Sequence, residues 1–123
     1  MGEINKISCH SCGKEWEYKS GCGIMHARLE AIADFFEPHV AEEFMVYANA
    51  KPPVLFDFAL MPAKCEICRS IVEIPVLKIE HTQYVGKCAG CASEAKLITD
   101  MDKTECPRCH HKEWKCSVIG SWD

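Results

Sequence analysis

The sequence has no run of apolar residues approaching the roughly 18 that a membrane-crossing helix needs. It also has no apolar signal region: Met1-Gly2-Glu3-Ile4-Asn5-Lys6 runs straight into Cys9. A secreted, disulfide-built protein is therefore not expected, and a reducing cytoplasm is, where paired thiols mean metal more often than disulfide. Low-complexity tracts are absent. So are a Ser/His/Asp arrangement and a glycine-rich phosphate loop, and the expectation is a protein that is not an enzyme. Positive charge is not in excess, with 14 Lys and Arg against 18 Asp and Glu and a formal net charge of −4. An acidic surface repels phosphate backbones, which disfavours general nucleic-acid binding unless a local basic patch survives.

Cysteine, by contrast, is abundant: 10 in 123 residues. Eight of them form four Cys-x-x-Cys pairs, Cys9/Cys12, Cys65/Cys68, Cys88/Cys91 and Cys106/Cys109. Two pairs brought together supply the four thiolates of a tetrahedral structural zinc site, so four pairs read as two Zn²⁺ sites. Segments shorter than about 40 residues rarely fold without a metal or a disulfide, so the metals are expected to determine the fold. Eight thiolates and two divalent cations would take the loaded chain from −4 to about −8.

Gly13 follows the first pair, where the turn favours a residue tolerant of positive φ, and Trp16 and Tyr18 then alternate with Glu15 and Glu17 as in a half-buried strand. Gly21-Cys22-Gly23 breaks that pattern. From Ile24 the period turns helical, with Met25, Leu29, Ile32 and Phe36 on one face, and Pro38 opens a second helix to about Ala48 with Val40, Phe44 and Tyr47 inward. The result is a helical pair within about residues 24–50. Val54–Met61 is a strongly apolar run that fits a buried strand or a loop docked on the helices. Ile71–Ile79 is β-prone but carries Pro75, which confines a strand to a sheet edge or breaks it. Glu80–Gln83 is the candidate linker. Beyond it lie a strand from Glu94 to Thr99, a turn at Asp100–Lys103 and a last strand from Trp114 to Ile119.

Spacing governs which pairs share a metal: 52 residues separate Cys12 from Cys65, 19 separate Cys68 from Cys88, and 14 separate Cys91 from Cys106. A hairpin with its turn needs roughly 12 to 20 residues, so Cys88, Cys91, Cys106 and Cys109 read as one self-contained site. Cys9, Cys12, Cys65 and Cys68 then form the other, with the helices inserted between them. A rival arrangement joins Cys65/Cys68 to Cys88/Cys91 and leaves Cys9/Cys12 to meet Cys106/Cys109, and an interleaved cross-brace is a third; all three keep the same eight ligands. The expected fold is small α+β: two Cys₄ zinc ribbons, the first over 1–80 and split by the helical pair, the second compact over 81–123.

Residues 84–119 resemble a zinc ribbon of the rubredoxin-like class found in transcription, ribosomal and enzyme-associated proteins. Cys9-His10-Ser11-Cys12-Gly13 with its aromatic strand, Gly21-Cys22-Gly23, the helical stretch and the returning Cys65-Glu66-Ile67-Cys68 are similar to small bacterial zinc-ribbon proteins of unknown function. The resemblance implies a fold and a metal and no particular activity. Arg69, Ala92 and His110 depart from it, standing where a knuckle commonly has glycine.

Four thiolates close a zinc sphere, which points to structural sites; iron in the same S₄ setting would instead make a rubredoxin-like electron carrier. His10, His110 and His111 flank the pairs, but four complete pairs leave them no vacancy. Cys22 is the candidate reactive thiol, since a helix N-terminus just after it would lower its pKa, against a plain buried role; Cys116 reads as strand core. Asp100 and Asp102 resemble the paired tip carboxylates of transcript-cleavage ribbons, but the hairpin is short and Asp-Met-Asp is ordinary turn chemistry, so a solvated turn is the expectation. The helical pair offers more apolar surface, at Phe35 and Val46 for example, than one face can bury. A protein partner or self-association is the expectation. The alternative, a nucleic-acid-binding accessory factor, requires a basic face around Lys14, Lys19, Lys87, Arg108, Lys112 and Lys115.

Overall fold

A computed structural model describes residues 2–23, 26 and 28–122. Seven strands, two helices and a short 3₁₀ turn follow in the order β1 (Gly2–Cys9), β2 (Glu15–Gly21), α1 (Leu29–Ala33), α2 (Pro38–Met45), β3 (Phe56–Cys65), β4 (Ser70–Ile79), β5 (Thr82–Val85), β6 (Lys96–Leu97), the turn Met101–Lys103, and β7 (Trp114–Trp122). The sheet runs β5-β4-β3-β2-β1-β7, with β6 paired to β3 off that path. The observed pairings are antiparallel. The protein is thus α+β, as expected.

Its internal arrangement differs from the expected split at residue 80. Two Cys-x-x-Cys turns are the tips of hairpins: Cys9–Cys12 turns β1 into β2, and Cys65–Cys68 turns β3 into β4. Each hairpin acquires a third strand on its first strand. For the β3–β4 hairpin that strand is β6, with Lys64 opposite Lys96 and Ala63 opposite Leu97. For β1–β2 it is β7, which pairs along β1 from Cys9↔Trp114 to Gly2↔Trp122 with an irregularity between Ile4 and Asn5. The chain therefore starts an outer three-stranded unit, builds a complete inner one, and returns to finish the outer. Residues 81–123 do not close on themselves, because Trp114–Trp122 finds its hydrogen-bonding partner in β1.

The apolar run at Val54 resolves as strand, its alternation sending Phe58 and Leu60 inward. Pro75 lies within an unbroken β4. Its carbonyl accepts from Gly86 N–H just past the end of β5, so the donor it lacks faces the side where pairing to β5 has run out, and the ladder to β3 is intact. A Cβ on Gly86 would sit 2.5 Å from the Pro75 ring, so glycine is required there. The helical pair is shorter than the periodicity suggests. Leu29, Ile32 and Phe44 are buried against Phe58, Leu60, Leu77 and Ile79, with Val40 and Tyr47 half-buried at the rim, while Met25 lies outside the described residues. No side chain caps α1 at Arg28, and Pro38 starts α2 with Glu37 in extended conformation, which leaves α1 little more than one turn.

A second, smaller core joins the two units. Ile7 from β1, Ile71 from β4 and Ile98 after β6 meet there, lined by Trp16, Tyr18, Met101 and Trp114. Ile71 is 3% exposed, so Ile71→Ala should cost about 2–4 kcal/mol in denaturant titrations of metal-saturated protein. A loss within experimental error would show that the units do not depend on this contact.

Candidate metal centres

Each of the four turns has the same backbone design. The residue after the second cysteine has positive φ: Gly13 at 75°, Arg69 at 52°, Ala92 at 58° and His110 at 65°. In three of them its N–H reaches back to the first cysteine's carbonyl, Gly13 to Cys9 at 2.9 Å, Ala92 to Cys88 at 2.8 Å and His110 to Cys106 at 2.9 Å. The first cysteine's N–H in turn donates to the residue beyond, as Cys9 to Lys14 and Cys88 to Ser93. This tight loop turns both thiols to one side. The missing glycines at Arg69, Ala92 and His110 leave the turn unchanged and cost strain at non-glycine residues instead.

The turns converge in two groups. Cys9, Cys12, Cys106 and Cys109 form one, and Cys65, Cys68, Cys88 and Cys91 the other, with all ligand atoms in a group within 4.8 Å of one another. This overturns the pairing expected from spacing, which joined Cys9/Cys12 to Cys65/Cys68 and Cys88/Cys91 to Cys106/Cys109; the rival arrangement is the one found. The reason is the sheet. β6 must lie on β3 to complete the inner unit, which delivers Cys88/Cys91 to the Cys65 turn, and β7 on β1 delivers Cys106/Cys109 to the Cys9 turn.

Sulfur separations are 3.4 Å for Cys9–Cys109, 3.8 Å for Cys12–Cys106, 3.5 Å for Cys65–Cys91 and 3.8 Å for Cys68–Cys88. Thiolates 2.3 Å from a common tetrahedral centre lie ~3.8 Å apart, so the donor set fits a metal in both groups. Cys9, Cys65, Cys88 and Cys106 are buried, whereas Cys12 is exposed and the remaining three partly so.

Hydrogen-bond donors favour ionisation at one sulfur in each group. The Ser93 hydroxyl and N–H lower the Cys91 thiol to about 6. At Cys9 burial opposes ionisation, but the N–H groups of Cys12 and Ser11 and the Cys109 thiol bring it to about 7. The neighbours respond oppositely. Contacts with the Cys91, Cys88 and Cys65 sulfurs push Cys68 up to about 12. At Cys109 the His111 N–H favours the thiolate, yet burial and the surrounding sulfurs push it up to about 12 as well.

Sequence reasoning missed Arg69 as a functional residue. From the inner group's turn, its Nη2 donates to the Arg108 carbonyl at 3.1 Å and its Nε to Pro107 at 3.5 Å, both in the outer group's turn. The unusual arginine at a glycine position was the available signal. His10, His110 and His111 are exposed and join neither group. Among the described residues the first α-helix begins at Leu29, and Cys22 is exposed rather than buried. It lines a cleft with His26 and residues 54–58, where the His26 ring packs 4.7 Å from Phe58 and burial holds its pKa below the ordinary value. Cys116 is also exposed, on β7, rather than in a strand core. Asp100 accepts from Asp102 N–H at 3.0 Å, as in an ordinary turn. Three of the six cations of the supposed basic face have separate engagements: Lys87 pairs with Glu37 at 3.1 Å, Lys19 lies over Trp122, and Lys112 lines a groove beside Lys64 and Lys96.

Fold and donor set together define a small α+β protein with two four-cysteine groups that could each hold a metal ion. The chain is 28% identical over 91 residues to a bacterial UPF0251 protein of Caldicellulosiruptor saccharolyticus, a name that assigns no activity. The matched region is 73% of this chain and 62% of that protein's length. No family model and no solved structure matches. Among the described residues, no helix is long and apolar enough to cross a membrane.

Two outcomes are expected. Metal-free Cys68 and Cys109 keep their protons at neutral pH, and a bound metal displaces them. Affinity in chelator competition should therefore fall at least about tenfold per unit drop in pH, and a flat profile between pH 6 and 7 would contradict the ligand set. Gly13→Ala should destabilise by about 1 kcal/mol and Ala92→Gly should stabilise by about 0.5–1 kcal/mol, since both positions need positive φ. Effects of the same sign in denaturation of the loaded protein would refute this account of the turns.

Proposed function

We propose that the protein is a cytoplasmic, non-enzymatic module, folded on two structural Zn²⁺ ions, that presents its helical pair and strand edges to a protein partner. The observation that carries this reading is the pair of four-cysteine groups. Four thiolates fill a tetrahedral zinc sphere and leave no open position for substrate or water, which suits a structural ion rather than a catalytic one. Zinc supplies cross-linking and charge neutralisation here, and the chain's own residues supply the surface. Supporting a protein partner are the apolar side chains left in solvent on and beside the helices: Phe35 at 41% exposure, Val46 at 72% and Leu55 at 91%. The net charge of −4 favours the same class of partner over a phosphate backbone.

Elemental analysis of protein purified under reducing conditions should give two zinc atoms per chain, and excess chelator should abolish its circular dichroism spectrum. One metal per chain, a red iron chromophore or an unchanged spectrum in chelator would overturn the structural-zinc reading. Salt-sensitive retention on DNA or RNA at physiological ionic strength would overturn the choice of partner.

A further inference from the structure

The two edges of the sheet are treated differently. At one, β5 has only four residues, and the part of β4 beyond it carries Pro75. Short strands and proline are the ordinary means by which an edge is kept from pairing with another chain. At the other edge β7 has nine residues, no proline and a single charge at Lys115. Its outer side meets no strand among the described residues.

The hydrogen-bonding sense of β7 follows from β1. Cys9 directs its N–H to Lys14 and its carbonyl to Gly13, toward β2. Its neighbour Trp114 therefore points its own N–H and carbonyl outward, and by alternation so do Cys116, opposite Ile7, and Val118, opposite Asn5. Glu113 confirms the phase, since its carbonyl faces inward to His10 N–H at 2.8 Å. Beyond Val118 the register shifts, so Trp114–Val118 is the regular segment with free outward groups.

We propose that this segment pairs antiparallel with the same segment of a second copy, on a two-fold axis through Cys116, to form a dimer with a sheet continuous across both chains. The proposal names the partner in the interaction reading above and rests on it. The segment is complementary to its own reverse. Trp114 comes opposite Val118 of the other copy, an aromatic against a β-branched side chain, and Val118, 58% exposed in the single chain, gains cover. Lys115 comes opposite Ser117, so no like charges face each other. All three outward residues of each copy find partners. A strand from an unrelated protein would satisfy the backbone groups alone.

Sedimentation of the zinc-loaded full chain should show a concentration-dependent dimer. Val118→Pro removes only an outward donor and should leave zinc content and circular dichroism unchanged while weakening association at least about tenfold. Cys116→Lys, which sets two ammonium groups against each other on the axis, should do the same by another route. In a Cys22→Ser background, a short bismaleimide should link Cys116 to Cys116 of the second copy, because hydrogen-bonded pairs hold their Cα atoms about 5.5 Å apart. A monomer at the highest attainable concentration would overturn the proposal, as would a dimer indifferent to both substitutions and not cross-linked at Cys116. Either result would leave the zinc count, measured separately, standing or falling by itself.

Discussion

Four sulfurs held within 4.8 Å of one another cannot all be negative without a cation among them. That electrostatic constraint governs the rest of this protein. The turns are shaped to aim thiols inward and to point backbone N–H groups at them, and the strands are placed to bring the turns together. The buried core is modest and divided, one cluster under the helices and a smaller one of three isoleucines between the units. The pairing of β7 on β1 joins residues 2–21 to residues 114–122, and Cys9, Cys12, Cys106 and Cys109 gather where a shared metal would cross-link the two segments.

Much of this was legible in the residues. The eight ligands stand in a pattern with few other physical readings, and α2 announces itself through Pro38 and the inward spacing of Val40, Phe44 and Tyr47. Which turns meet was not legible, because gaps of 14 and 19 residues both suit a hairpin. The deciding fact is non-local: β6 is only two residues long, yet it lies on β3, and the final strand prefers β1, a hundred residues away, to its neighbours in sequence. The plain buried role weighed for Cys22 does not hold, since the thiol is exposed, and among the described residues the expected first helix is found as α1 only over Leu29–Ala33, with no side-chain cap and a proline soon after it. Arg69, Ala92 and His110 stand where a knuckle commonly has glycine, and the positive φ found at each is what that position demands whatever residue fills it.

Arg69 shows how one such exception is put to use. A glycine there would ease the turn but would leave the Pro107 and Arg108 carbonyls without the guanidinium that spans the two centres. With the isoleucine cluster, the Lys19 N–H donated to the Glu73 carboxylate at 2.8 Å and Trp122 packed against the helical core, this arginine is among the direct links between the units.

The nesting of one unit inside the other also sets an order of events during synthesis. The inner group needs to close a gap of 19 residues between Cys68 and Cys88, whereas the outer must bring Cys12 to Cys106 across 93. In an unstructured chain the longer closure costs about 1.4 kcal/mol more. All four cysteines of the inner group leave a ribosome before the last two of the outer group do, and a captured ion would turn the intervening chain from a loose loop into a folded bracket. Cys9 and Cys12 precede every cysteine of the inner group, yet theirs is the group completed last. Two thiols that must wait for their other half have, in that interval, the chemistry of a free dithiol, open to oxidants and to competing ions.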